Sequence, residues 1–299
     1  MAESTPTISV VIAWVNPLDL LTPGLQALTR QPVQEIIVAT RHNAKEQARL
    51  RALFPQITVL PAAPNTPITA LRSLAIKHAR SDVVAVTEDH CVPDENWIAT
   101  IAHAQSRTDC DVVGGPVENA LTTRWRDWAA FLTEYAGAIR SATGNESNHA
   151  LPGNNVAYKR ALLDGLCATL ERGLWESFYH PQLIARGAHF KYDPRMIVYH
   201  RRPFDFTYFV FQRFQFSRSF AAMRLQSLTA FGRIKYGVGA VLLPPLLFLR
   251  GLMTLRRKQR FVGRYLACAP LIGAYVTVGA LGEMLGYFLG GGDSLEKIE

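Results

Sequence analysis

Two carboxylates and an imidazole stand side by side at Glu88-Asp89-His90. They follow directly on an apolar run of small and β-branched residues, Asp82-Val83-Val84-Ala85-Val86-Thr87, and precede Cys91-Val92-Pro93-Asp94, which reads as a turn, and the aromatic Trp97. A buried strand that ends in such a triplet delivers charged side chains to the carboxyl edge of a sheet, where open α/β folds bind their ligands. Oxygen-rich ligands there suit Mg2+ or Mn2+, and a hard cation in turn suits a diphosphate. A solvated acidic strand end is the plain alternative.

Four further features sit at the ends of elements or on one helix face. Glu176, after Gly173-Leu174-Trp175, opens a helix. It reads either as a first-turn acid stabilised by the helix dipole or as a general base that takes a proton from an acceptor hydroxyl. His200 ends the short run Met196-Ile197-Val198-Tyr199. Alone it reads as structural; beside Glu88 and His90, its neutral imidazole would complete a mixed metal shell. Gly153-Asn154-Asn155 combines a close backbone approach with two amides that both donate and accept, which suits a hydroxyl-rich sugar or an ordinary turn. In Gln212–Phe220, helical spacing puts Arg213, Phe216 and Phe220 on one face and Gln215 and Arg218 on the next. That helix reads as diphosphate-binding, membrane-lying, or both, with Arg218 turned inward and Arg224 outward.

The elements that would hold these residues alternate. Ile8–Ala13, Glu35–Ala39, Ile57–Leu60, Val83–Val86 and Asp111–Gly115 read as strands. Leu18–Thr29, Ala44–Leu53, Ile68–Ala79 and Trp97–Ala104 read as the helices between them. The alternation predicts a mostly parallel sheet with helices on both faces. Beyond it, a helix is expected over Trp125–Ser141, a polar loop over Thr143–His149, a short strand after Gly153, a helix over Glu176–Arg186 and a last strand ending on His200.

The net charge of +8 is concentrated. Thirteen Lys and Arg lie between Arg201 and Arg264 against one acid, Asp205. Such a patch attracts nucleic acid or an anionic membrane. The apolar runs Tyr236–Leu249 and Leu266–Leu281 between the charges favour the membrane, and no nucleic-acid partner is expected. Four widely spaced cysteines with no CxxC argue against a zinc site or a disulfide framework. They fit a reduced, cytosol-facing part. Ile8–Trp14 is too short and lacks the basic flank of a signal peptide.

From Ile8 to about Arg224 the order of these motifs resembles the family 2 glycosyltransferases, inverting enzymes of the GT-A fold that often carry a membrane-attached C-terminus. Ile8–Ile12 followed by Asn16 looks like the family's opening strand and nucleotide loop, and Ala70-Leu71-Arg72-Ser73 stands where many members have Ala-Arg-Asn. Thr87–Trp97 is similar to the stretch that holds the DxD motif, Trp175-Glu176 stands where Glu-Asp is usual, and Val198-Tyr199-His200 matches Val-Tyr-His. Gln215-Phe216-Ser217-Arg218-Ser219 is similar to QxxRW without its Trp. Ala280–Tyr287 resembles the tail of some membrane-attached members. The DxD carboxylates fall on Glu88 and His90 with Asp89 between them. The base position carries Glu176 rather than Asp, and the second strand ends in Thr40 where many members have a base-contacting Asp.

The resemblance implies a GT-A-like catalytic domain over residues 1–225 and membrane-associated helices over 226–299. It implies transfer of a sugar from a nucleotide-diphosphate donor to a lipid-linked or polysaccharide acceptor of the envelope, on the cytoplasmic face of the cell membrane. Glu176 would be the base. Glu88, His90 and His200 would hold Mg2+ or Mn2+, and Asn16, Arg72, Asp89, Asn154, Asn155 and Arg218 would contact the donor or acceptor. A GT-A-like binding subunit without activity is the alternative. A nucleotidyltransferase would want a Gly-rich phosphate loop after the first strand, and Trp14-Val15-Asn16-Pro17 offers none.

Tyr236–Leu255 is long enough to span a bilayer but carries Pro244-Pro245 at its middle, and the basic loop Arg256–Arg260 belongs on the cytoplasmic side. The expectation is a re-entrant or interfacial hairpin bent at the prolines, with Tyr265–Leu289, interrupted by Glu283, as the span. A two-helix hairpin with a basic outer loop is the alternative.

Overall fold

The computed structural model describes residues 5–144 and 151–299, apart from the side chains of residues 167 and 168. The polar loop expected over Thr143–His149 lies, from residue 145 on, outside the described residues. In chain order the elements are β1 (Ile8–Trp14), α1 (Leu18–Leu28), β2 (Glu35–Thr40), α2 (Ala44–Leu53), β3 (Thr58–Pro61), α3 (Ile68–His78), β4 (Val83–Glu88), β5 (Cys91–Pro93), α4 (Trp97–Gln105), β6 (Val112–Gly114), β7 (Val117–Asn119) and α5 (Trp125–Tyr135). There follow β8 (Asn155–Lys159), α6 (Arg160–Asp164), α7 (Cys167–Glu171), α8 (Glu176–Ala185), β9 (Phe190–Tyr192), β10 (Val198–His200), α9 (Phe206–Leu225), α10 (Ala230–Gly239), α11 (Leu243–Lys258), α12 (Val262–Ala267) and α13 (Ala269–Leu289).

The chain divides into two compact units, Met1–Glu118 with Gly144–Arg202, and Asn119–Thr143 with Pro203–Glu299. The boundary expected at residue 225 falls inside the second unit, at the end of α9.

In the first unit a seven-stranded sheet runs β3-β2-β1-β4-β8-β6-β9. β1 is parallel to both β2 and β4, and every residue of it is buried. A strand hydrogen-bonded on both sides and covered on both faces must be apolar throughout, which is why Ile8–Trp14 shows no alternation. β8 enters antiparallel between β4 and β6, so the sheet is mixed but mostly parallel. The register sets Ala13 beside Glu88 on one side of β4, and Thr87 beside Asn155 on the other. One sheet edge thereby collects the loop after β1, the end of β4 and the start of β8.

Cys91-Val92-Pro93, expected as a turn, is a strand. It pairs antiparallel with β10 in a small sheet of order β5-β10-β7, with His200 opposite Cys91. This pairing carries His200 to the acidic triplet. The helix expected over Trp125–Ser141 stops at Tyr135, and the Ala138 and Ile139 amides both donate back to the Tyr135 carbonyl. Gly137, a poor helix former, stands in that turn.

In the second unit α9 and α13 pack backbone to backbone. A Cβ on Gly282 or Gly286 would strike the carbonyl oxygens of Phe214 or Arg218, so glycine at these positions permits the approach. Among the described residues, two stretches are long and apolar enough to cross a membrane, Ala230–Lys258 and Ala269–Leu289. The hairpin expected at Pro244-Pro245 is absent. The prolines occupy the first turn of α11, where a missing N–H has no partner to lose. The only interruption of Ala230–Lys258 is a tight 3-10 turn at Ala240–Leu242. Arg224, expected to face outward, instead donates to the Tyr287 hydroxyl at 2.8 Å and lies 4.6 Å over the Tyr236 ring.

Candidate functional site

The triplet straddles the end of β4: Glu88 is the last residue of the strand, and Asp89 and His90 form the turn that leads into β5. Asp89 Oδ2 accepts from the amides of Val15 and Asn16, both at 2.8 Å, and Oδ1 accepts from Asn16 Nδ2 at 2.7 Å. Burial alone would raise its pKa, but the hydrogen bond with His90 and the donors from Val15 and Asn16 outweigh it and hold the carboxylate ionised. Both oxygens accept from the loop after β1, so Asp89 fixes that loop against the end of β4. Asn16 is fixed by the same bonds, and its carbonyl accepts from Trp14 Nε1 at 2.7 Å and lies 3.0 Å from His42 Nε2. Its buried Oδ1 has no partner.

Arg72, buried in the middle of α3, joins the two carboxylates singled out by their positions. Nη2 donates to Glu88 Oε1 at 3.1 Å and Nη1 to Glu176 Oε2 at 3.4 Å. Its guanidinium lies 5.9 Å from the Trp175 ring centroid, and its buried Nε has no acceptor among the described residues. Burial works to lower its pKa, but Glu176 and Glu88 outweigh that and raise it, so the cation is held fast. Glu176 opens α8, and Gly153 makes room for it: a Cβ there would fall on its carboxylate. Burial raises the Glu176 pKa above 4.5, Arg72 opposes the rise and Glu88 adds to it. An acid lifted this way is a better proton acceptor than an exposed one.

His90 Nδ1 is 2.9 Å from Asp89 Oδ1. That bond orients the ring and leaves Nε2, 3.4 Å from Glu88 Oε2, as the ligating nitrogen. Glu88, His90 and Cys91 each place a ligand atom within 4.8 Å of the others. Burial, with Glu88 and Asp89 close by, pushes the Cys91 thiol well above its ordinary value. A soft thiol suits a hard cation poorly, which leaves one carboxylate and one imidazole. A hard cation bound by few side chains fills its shell with diphosphate oxygens and water, so this pair fits Mg2+ or Mn2+ in the company of a diphosphate. His200 is not in that group. It stands edge-on to His90, with ring centroids 4.7 Å apart, and burial followed by His90 and Arg202 keeps it neutral.

The two amides divide as well. Asn155 Oδ1 accepts from Trp97 Nε1 at 2.8 Å, and Nδ2 donates to the carbonyls of Pro116 at 2.9 Å and Met196 at 2.6 Å. Wholly buried and with both amide hydrogens committed, Asn155 braces the sheet edge and has no donor for a sugar. Asn154 Nδ2 reaches Cys91 Sγ at 3.7 Å. Arg218 belongs to the second unit, where its Nε donates to the Gly290 carbonyl at 3.0 Å.

Sequence reasoning missed the buried trio behind Glu176. The Tyr158 hydroxyl lies 2.6 Å from His180 Nε2 and 3.4 Å from the Tyr179 hydroxyl. Burial, then Glu176, pushes the Tyr179 pKa up to about 12, and burial lowers His180 to about 4. His180 sits four residues past Glu176, one helical turn on, which is the signal that could have found it.

A mostly parallel sheet with an arginine-linked pair of glutamates at its carboxyl edge places these side chains where open α/β folds bind their ligands. The family model described as "Glycosyl transferase family 2" matches residues 9–167, and the chain belongs to that family. It is a glycosyltransferase of the GT-A fold. No curated protein matches it by sequence. Among solved structures it is similar to a mannosyltransferase, PcManGT of Pyrobaculum calidifontis, in complex with GDP-Man and Mn2+. That likeness has 16% identity and a TM-score of 0.51, over 93% of this chain and 87% of that one. It is also similar to GalNAc-T7 with UDP, GalNAc and Mn2+, at 15% identity and a TM-score of 0.53 over 68% of this chain. This chain spans 44% of the GalNAc-T7 chain. Both likenesses are of fold.

Proposed function

We propose that this glycosyltransferase moves a sugar, with inversion, from a nucleoside-diphosphate donor to a hydroxyl of a lipid-linked or envelope acceptor. It would act at the cell membrane with its first unit in the cytoplasm. The observation that carries the reading is the buried guanidinium of Arg72 holding Glu88 and Glu176 at one sheet edge. The acceptor is inferred from the two apolar helices and the basic residues of the second unit.

Glu88 and His90 would hold Mg2+ or Mn2+, with His200 backing the His90 ring. When bound, the cation neutralises charge on the leaving diphosphate. Arg72 supplies further positive charge to the diphosphate, Asn16 meets the nucleotide and Asn154 the sugar. Asp89 and Asn155 fix the loops that present them. Glu176 takes the proton from the acceptor hydroxyl. The acceptor oxygen forms its bond to the anomeric carbon from the face opposite the diphosphate, and the sugar–diphosphate bond breaks with its electrons on the departing oxygen. One displacement of this kind inverts the centre.

Calorimetry with UDP-, GDP- and dTDP-sugars, with and without Mn2+, tests this. One donor class is expected to bind, at least about tenfold tighter with Mn2+, and Glu88→Ala should remove the metal effect. No binding of any donor would contradict the proposal. A donor that binds and is never transferred to any acceptor would favour a binding subunit.

A further inference from the structure

We propose that the second unit sits on one face of an anionic bilayer, seated through the exposed side of α10 and α11, and that none of its helices crosses. The inference rests on the membrane attachment proposed above and replaces Tyr265–Leu289 as a span.

Along Ala230–Lys258 the residues Phe231, Ile234, Val238, Leu242, Leu246 and Leu249 recur every three or four positions, and each is more than half exposed. The opposite side of the helix is packed: Gly237 meets the Phe288 ring and Gly251 the Tyr265 ring. One face is thus committed to protein and the other is an unbroken apolar stripe, the pattern of a helix that lies in a membrane interface. Arg233 and Lys235 stand exposed before the charge-free run Tyr236–Leu249, and Arg250, Arg256 and Arg257 stand exposed after it. That charge-free run is about 21 Å long at 1.5 Å per residue, shorter than the roughly 30 Å of a hydrocarbon core, although the whole of Ala230–Lys258 is long enough to cross. Basic residues at both ends suit anionic headgroups on one surface.

The neighbours of α13 argue against a crossing. α9 accompanies it, with Arg213 against Gly279 and the Arg218 carbonyl against Gly286. The C-terminal tail lies on α9 in turn. Gln212 Nε2 donates to the Lys297 carbonyl at 3.1 Å, and the Glu299 amide donates to Gln212 Oε1 at 3.0 Å. Drawing α13 through hydrocarbon would draw in Arg213, Arg218 and this charged tail. Both ends of Ala230–Lys258 are also tied to the rest of the unit. Lys258 Nζ donates to the Ile139 carbonyl at 2.6 Å, and Arg233 Nη2 to the Tyr287 carbonyl at 3.4 Å.

Single cysteines at the two ends, K235C and R257C, test the topology in the full chain. Sealed membrane vesicles from expressing cells are treated with an impermeant maleimide, with the unsubstituted chain as background. Both positions should react from the same side. If one reacts and the other requires detergent, the helix crosses and the proposal is overturned. A second arm uses preformed vesicles of phosphatidylcholine with phosphatidylglycerol, or of phosphatidylcholine alone. The triple variant K235Q/R250Q/R257Q should bind the anionic vesicles about a hundredfold more weakly, from about 1 kcal/mol per basic residue. Equal binding of both vesicle types by the unsubstituted chain would overturn the headgroup role. Neither readout depends on sugar transfer. A chain that labels from one side yet binds no donor would sink the catalytic reading and leave this one standing.

Discussion

The two units break the usual rule of burial in opposite directions. The first hides polar groups: Arg72, Asp89, His90 and His200 are buried at the sheet edge. The second displays grease: Phe231, Leu242 and Leu289 are each more than two-thirds exposed. Buried polar groups and exposed apolar patches are the informative departures in a soluble protein. Here one marks a place for a small charged ligand and the other a place for lipid. The consequence is a difference in what mutation does. Charge removed from the first unit should cost stability, whereas apolar surface removed from the second should cost only binding.

Arg72→Ala is the harshest way to probe the contrast. It would leave Glu88 and Glu176 facing each other without their shared cation. Breaking a buried ion pair from one side costs about 3 kcal/mol or more, and denaturant unfolding should show that loss. A change below about 0.5 kcal/mol would mean that the guanidinium does not hold the two glutamates together.

His180 sharpens the comparison through pH. Buried and neutral, it has a pKa lowered from 6.5 to about 4. Its contribution is fully present above the unfolded value. As the pH falls from about 6.5 the unfolded chain takes up a proton that the folded chain refuses until about 4, so stability drops by about 3 kcal/mol across that window. His180→Gln should remove that component of the slope. An unchanged slope would show that His180 is already protonated or exposed.

At the mild end, Leu246→Asn replaces a side chain that is 58% exposed. Stability should move by no more than about 0.5 kcal/mol, while binding to anionic vesicles weakens. A large loss of stability would mean that the stripe is covered by protein.

Much of the first unit was legible in the sequence, because buried parallel strands are continuous apolar runs and the helices between them start and stop cleanly. β1, β2 and β4 lie within a residue or two of their expected limits. β5, β7 and β9 were not legible, since three-residue strands owe their existence to partners far along the chain. The division of labour in Glu88-Asp89-His90 was half visible. The family resemblance paired the outer two, but only the folded loop shows Asp89 held by Val15 and Asn16. Arg72 was marked as a donor contact, and its bridge to Glu176 needed the fold to bring the start of α8 to α3. In the second unit the prolines misled, since Pro breaks a helix interior yet suits its first turn.

The most direct test of the catalytic account is Glu176→Gln, measured for donor binding and for transfer side by side. Loss of a general base should lower transfer by about 10²–10⁴-fold, with donor affinity kept within a few-fold. In the unsubstituted enzyme the acid limb of kcat/KM should lie above 4.5, the ordinary glutamate value, because burial favours the protonated form and Glu176 must be ionised to act. Full transfer by the Gln variant would contradict the account and remove Glu176 from the base role.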